Sequence, residues 1–423
     1  MYFYISFQER QLQLLKANYS KMQEKIEKLY TILACVLCAF IPFIPLAHAF
    51  SSIIMGCLLV IAFFIVEKPK ANMIFVNRTI TTFIIFFLII VLQSLFGDHF
   101  VNDFSELRKV GQTVLLIILF SIIKTPQLLK NSFIAGAVLS SAISLVRIII
   151  YMEATGSTAF YTGKIVEELM MTQRLYLGFF DVIALIFCVE GYFSLENKKS
   201  KTIYLCLTIF LLSTIFFIAS RTAVILSLMA LISITAYKLK SKARIVALMV
   251  IMVLGVGGFL GNNNLSQRVL YKTDEYRESY VEKIKTHEPR YLIWKYSFAI
   301  FNENPHKVFG IGFGETQQLL RRKYQEIQTV NKRNWFLTRD FNTHNQYLDF
   351  LVSYGVFGLV LFLVFLSFLF FNAKHSIYSL NLFFTLTIFM LFENTFHRTF
   401  GVFIIALISC CILGKAFIKY SEK

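Results

Sequence analysis

Charge is scarce in this sequence. Asp, Glu, Lys and Arg make up 16% of the 423 residues, against 57% hydrophobic residues that include 46 Phe and 20 Tyr. No water-soluble domain needs that much apolar surface, so lipid is the solvent for most of the chain. Also missing is any HExxH, Walker loop, GxSxG or DxD-type pair where a soluble catalytic domain could hold it. No sequence repeat is visible, and Met1 to Leu29 is too mixed and charged for a cleavable signal peptide. The first span itself is expected to target the chain. Seven cysteines (Cys35, Cys38, Cys57, Cys188, Cys206, Cys410 and Cys411) all lie in apolar runs. Cys35-Val-Leu-Cys38 has redox spacing, but inside a spanning helix it reads as packing.

What is present is a series of apolar runs, about twelve, near 30–47, 49–66, 79–96, 110–123, 132–152, 174–194, 202–219, 222–237, 245–260, 345–371, 378–393 and 399–418. The first two are split by Pro42 and Pro45, and 110–123 is short. The net charge of +17 is spread between these runs instead of forming one basic domain, which fits membrane orientation and not nucleic acid. Lysines mark alternate connections: Lys16, Lys21, Lys25 and Lys28, then Lys68 and Lys70, Lys124 and Lys130, Lys198, Lys199 and Lys201, Lys238, Lys240 and Lys242, Lys374, and Lys415, Lys419 and Lys423. The positive-inside rule makes these connections and both termini cytoplasmic. The expected architecture is an all-α integral membrane protein. Residues 1–29 form a cytoplasmic segment, 30–260 the first nine spans, 261–344 a large loop on the opposite side, 345–418 the last three spans, and 419–423 a tail. The loop carries 14 Lys or Arg against 9 Asp or Glu, a net of +5, and its length exempts it from the charge rule. Within it, Glu275–Lys285 and Pro289–Phe301 are expected helices.

Polar groups collect on the side of that loop. Residues 203–237 are apolar apart from Ser220-Arg221; as one helix they would measure about 52 Å against a hydrocarbon core of about 30 Å. The chain must therefore reverse at Arg221, either as a boundary arginine or as a ligand group. Arg290 and Trp294 stand four apart on one helix face, a cation–π pair or half of a binding site. Arg147, Arg174 and Arg398 lie at the same ends of their spans. Several arginines on one face point to an anionic ligand, and the planar guanidinium suits phosphate oxygens. Asp349 and Glu393 border the same face, each a functional candidate or an arginine's partner.

The stretch Thr343-His-Asn-Gln-Tyr-Leu-Asp-Phe-Leu-Val-Ser-Tyr-Gly-Val-Phe-Gly358 passes abruptly from polar to apolar. In a continuous helix His344, Leu348, Leu351, Gly355 and Gly358 form one stripe, with the two glycines allowing a neighbouring helix to pack closely. A histidine at a helix start meets free N–H groups and positive dipole charge, which favour the neutral ring that a general base requires. Asn342, Thr343 and Asn345 are candidates to cap the helix or to hold the other ring nitrogen. A compartment without ATP also demands a donor that arrives already activated.

His344-Asn345 followed after nine residues by Gly355-Val-Phe-Gly358 resembles the signature of the O-antigen ligase superfamily. That group spans lipopolysaccharide O-antigen ligases, surface-polysaccharide polymerases and bacterial protein O-oligosaccharyltransferases. Ser220-Arg221-Thr222-Ala223 and Arg290 with Trp294 resemble its two arginine motifs, in the same order. The resemblance implies a bacterial inner-membrane enzyme with a periplasmic site and an inverting, metal-independent transfer that uses no cofactor. The donor would be a glycan on undecaprenyl diphosphate, and the acceptor lipid A-core or another glycan. His344 would act as base, Arg221 and Arg290 would hold the diphosphate, and Asn345, Asp349, Trp294, Arg147, Arg398 and Glu393 remain supporting candidates. The short segment after the last span leans toward ligase or polymerase over protein glycosylation. A flippase or transporter is the competing class, but it should carry ionisable groups at mid-membrane and related halves.

Overall fold

The computed structural model describes residues 2–66, 74, 76–156, 168–270 and 279–421. Lys68, Lys70, Glu275, Lys423 and part of the connection after residue 156 fall outside them. The described residues are helical throughout, without strands. The helices begin with α1 (Tyr2–Phe40), α2 (His48–Ile65), α3 (Arg78–Phe96), α4 (Phe100–Ser121) and α5 (Pro126–Thr155). They continue with α6 (Arg174–Ser194), α7 (Lys198–Phe217), α8 (Arg221–Lys238) and α9 (Ser241–Gly261). The loop 261–344 folds into α10 (Asn263–Leu270), α11 (Tyr280–His287), α12 (Pro289–Glu303), α13 (Phe313–Gln325) and α14 (Val330–Arg339). The chain then returns through α15 (Gln346–Ala373), α16 (Ile377–Phe389) and α17 (Thr399–Ser421).

Among the described residues nine helices are long and apolar enough to cross a membrane, and Ile377–Phe389 and Thr399–Gly414 are shorter apolar helices. The remaining expected run, 110–123, is the apolar half of α4, whose first half carries Asp103, Glu106, Arg108 and Lys109. Pro42 and Pro45 place a 3-10 turn, Ile41–Leu46, between α1 and α2. Proline removes a helix donor and crowds the preceding turn, so this break follows from the sequence.

The centre of the bundle is α6, with 89% of its apolar window buried, whereas α9 buries only 6% and lies at the edge. Phe179 stacks on Phe389 of α16 at 3.8 Å between ring centroids, and Tyr176 meets Phe400 of α17 edge-on at 4.4 Å. One polar residue lies in this packing: Asp181 accepts hydrogen bonds from Ser141 (2.7 Å) and Thr214 (3.0 Å), which satisfies a carboxylate far from water.

The loop lobe has its own core of Ile293, Ile300, Leu320, Tyr324 and Phe336, and it takes in Leu348 and Val352 from the start of α15. Each such side chain contributes about 1.5–3 kcal/mol when removed from water. Ser279 and Glu282 form a reciprocal capping box on α11, and Pro289 occupies the first turn of α12 as expected.

The structure corrects one expectation. The His344 stripe presumed an unbroken helix, but Gly355 has φ +67° and ψ −171°, and α15 is kinked there. Loop residues enter the break: Val356 N donates to Lys307 O (2.9 Å), Phe357 N to Val308 O (3.1 Å), and Gly312 N to Ser353 O (2.7 Å). A Cβ on Gly355 would lie 2.2 Å from Val308 O, so the close neighbour is a loop backbone and not another span. At Gly358 an added Cβ would meet the Cβ of Tyr354 at 2.4 Å, inside the same kink.

Candidate active site

The reversal required at Arg221 occurs between α7 and α8. Ala219 takes φ +52°, an uncommon left-handed conformation for a residue with a side chain, and its carbonyl accepts from Arg268 Nη1 at 3.0 Å. Arg221 returns the contact, donating from Nη1 to Arg268 O at 3.1 Å. Its Nη2 reaches Glu288 Oε2 at 2.7 Å, while Arg290 Nη1 meets Glu288 Oε1 at 3.1 Å. One carboxylate therefore bridges the two arginines that the sequence singles out. Arg290 also donates from Nε to Phe392 O at 3.0 Å, and the Trp294 ring lies 6.3 Å from that of Phe392. The shared face of Arg290 and Trp294 thus holds the turn between α16 and α17.

His344 sits one residue before the helix cap. Asn345 is the N-cap, its side chain accepting from the N–H groups of Tyr347 and Leu348, both at 3.0 Å. Asn342 accepts from His344 N at 3.1 Å. The ring nitrogen is held by a residue from the other side of the site: His344 Nδ1 lies 3.1 Å from Glu393 Oε2. Burial opposes ionisation of Glu393, but His344, then Arg290 and Arg398, outweigh it and hold the carboxyl down at about 2. An ionised carboxylate only accepts, so Nδ1 carries a hydrogen, and in the neutral ring the lone pair is on Nε2. Among the described residues nothing hydrogen-bonds to Nε2.

The backbone of His344 has φ +43°, and an extensive network fixes it. Asn394 accepts from Asn345 N at 2.6 Å and exchanges hydrogen bonds with the Thr343 hydroxyl. Gln346 N donates to Met390 O, and Phe396 N donates to Gln346 Oε1. Thr343 also donates to Asp349, whose other oxygen lies 2.8 Å from His397 Nε2. Asp349 and Glu393 thus each contact a histidine, where the sequence offered an arginine as the structural partner. His397 Nδ1 stands 3.5 Å from Glu106 of α4. Burial disfavours charge on this ring, but Asp349, followed by Glu106, outweighs it and raises the imidazole above its ordinary 6.5.

A cluster of arginines lies on the same side of the bundle as His344. Burial, then the charges of Arg174 and Arg221, push the Arg268 guanidinium down to about 9. Glu288 and Arg290 complete its surroundings, and Arg398 joins through Glu393. Five arginines (174, 221, 268, 290 and 398) face two glutamates (288 and 393), a surplus of three positive charges. Buried Arg398 Nε, Glu393 Oε1, Tyr176 OH and Ser220 Oγ have no hydrogen-bond partner among the described residues. Arg147 stands apart, exposed on α5, donating to Glu168 O at 3.0 Å. Glu288, Arg268, Asn394 and His397 escaped the reading of the sequence. Glu288-Pro-Arg290 did offer a signal, an acidic residue two positions from an arginine of interest.

A histidine with one nitrogen held by a carboxylate thus stands beside clustered guanidinium groups at one end of a helical bundle. Residues 206–363 match the family described as O-Antigen ligase. The matched stretch contains Arg221, Glu288, Arg290 and His344 and ends before Glu393. No curated protein matches the chain.

Proposed function

We propose that this protein transfers a glycan from undecaprenyl diphosphate to an acceptor hydroxyl at the periplasmic face of the bacterial inner membrane, with inversion and without a metal. The acceptor is lipid A-core; polymerisation onto another lipid-linked repeat is the second reading, because the same motifs serve both. The observation that carries the proposal is His344, its Nδ1 fixed by Glu393 at 3.1 Å and its Nε2 open beside the arginines. The acceptor oxygen attacks the anomeric carbon while Nε2 takes its proton. The new carbon–oxygen bond forms as the bond to the diphosphate breaks, and the electron pair leaves on the diphosphate oxygen. A sugar diphosphate carries a negative charge on each phosphate, and departure of the sugar adds another. The arginine surplus suits that leaving group, so its attraction grows along the reaction coordinate.

The test is transfer from purified lipid-diphosphate donor, with and without chelator. His344→Ala should lower turnover by about 10²–10⁴-fold with donor binding retained, while Arg221→Ala and Arg290→Ala should weaken donor use. Near-normal transfer by these variants, or loss of wild-type activity with chelator, would count against the mechanism. Deletion in the native host separates the acceptors. Bare core with accumulated lipid-linked polymer indicates ligation; core bearing a single repeat indicates polymerisation.

A further inference from the structure

The base is not the end of its aromatic surroundings. The His344 ring meets Phe341 edge-on at 5.5 Å between centroids, and Phe341 meets Trp335 of α14 at 4.9 Å. Phe336 backs both rings, 5.1 Å from Trp335 and 5.3 Å from Phe341, and is itself fully buried. Trp335 is 42% exposed, so one large aromatic surface is left open on a rigid backing. The chain beneath it is fixed: Gln317 donates to both the carbonyl and carboxylate of Asp340, and Tyr324 OH donates to Phe341 O at 3.1 Å. The left-handed backbone of Asp340, φ +47°, ends α14 and turns Phe341 toward His344.

We propose that Trp335 and Phe341 form the acceptor subsite, a shelf on which a pyranose ring stacks its C–H face so that a hydroxyl points at His344 Nε2. This rests on the transferase reading above and adds the side from which the acceptor approaches. Arg221, Arg268 and Arg290 lie with α8, α10 and α12, and Arg174 and Arg398 with α6 and the turn before α17, whereas the shelf is built by α13, α14 and the segment before α15. Donor and acceptor therefore meet at His344 from separate elements. An aromatic face is the chemistry that recognises a sugar's apolar side while leaving its hydroxyls in water. The chain has two tryptophans, and Trp294 is committed to the turn at Phe392.

The obvious competing role for an exposed tryptophan is to anchor the lobe in the membrane interface. Trp335→Leu separates the two, because leucine keeps apolar packing but removes the aromatic face. The assay uses detergent-purified full-length protein, purified lipid-diphosphate donor, and core-terminated lipopolysaccharide as acceptor. Trp335→Leu should raise the acceptor KM roughly tenfold, with donor KM and kcat at saturating acceptor close to wild type. Trp335→Tyr, which restores an aromatic face, should recover most of the loss. An unchanged acceptor KM in Trp335→Leu overturns the shelf while leaving the transferase reading intact. So does an equal rise in both KM values that tyrosine fails to rescue, which marks a structural role. Absence of transfer by the wild-type protein overturns both.

Discussion

A histidine in left-handed backbone is uncommon and costs on the order of 1–3 kcal/mol where the surroundings impose it. His344 is placed there by hydrogen bonds from both flanking residues to Asn394, while Glu393 takes the ring. Glu393→Gln preserves the shape but replaces a pure acceptor with a group that can also donate, so the tautomer is no longer fixed. Turnover should fall by about 10²–10⁴-fold, with little change in donor KM; pre-steady-state transfer with saturating donor measures this. Unaltered turnover would mean the carboxylate has no part in setting the base. Glu288 has the opposite character, because its two oxygens occupy the arginine positions that a phosphate would take. Glu288→Gln removes this internal competitor, and the donor KM should fall roughly threefold to tenfold. A rise in KM would instead show that Glu288 aligns the guanidinium groups.

At the scale of elements, the sequence is informative wherever one local rule decides the outcome. The reversal at Ser220-Arg221 follows from the length of apolar chain, and α7 ends at Phe217 with α8 starting at Arg221. Prolines set the turn before α2 and the start of α12. Asn345 caps because an amide before an apolar run does so. What escaped needs contacts between distant segments: Glu393 reaches His344, and Asn394 its two neighbours Thr343 and Asn345, across 49 or more residues, and Glu288 is defined by what faces it. Gly355 shows the limit most sharply. Helical periodicity gave it a place on a stripe, yet the loop strand at Val308 requires a positive φ there. Gly355→Ala should therefore lower the thermal midpoint, through at least about 1–3 kcal/mol of strain, and reduce turnover as the lobe shifts. Gly257→Ala, where an added Cβ meets nothing within 4 Å, is the control. Equal melting of the two variants would remove the loop contact from the account.

For the whole molecule, two charged groups between α15, α16 and α17 give stability opposite pH dependences. Glu393, depressed from an ordinary 4.5 to about 2, contributes fully above 4.5 and loses that contribution as pH falls toward 2. His397 is raised above 6.5, so its contribution is complete below 6.5 and is lost as pH rises through the higher folded value. Asp349, Glu106 and Lys109 are the charged groups that face it. Thermal midpoints should therefore decline on the alkaline side, and His397→Gln should flatten that limb while leaving the acid limb in place. Midpoints of both proteins across pH 4–9 check this; an alkaline decline that survives the substitution would assign it elsewhere.

The break in α15 also sets a height. Val308 and Phe309 lie beside it with more than half of each side chain exposed, next to exposed Val356 and Phe357. On the membrane orientation proposed above, apolar side chains so placed would lie at the edge of the hydrocarbon, with this tip as a float on the bilayer surface. His344 stands eleven residues before Gly355, about 16 Å if counted at helical rise. A thicker or thinner membrane would then be absorbed by tilt of the spans beneath the float, while the distance from lipid edge to His344 stays fixed by a count of residues.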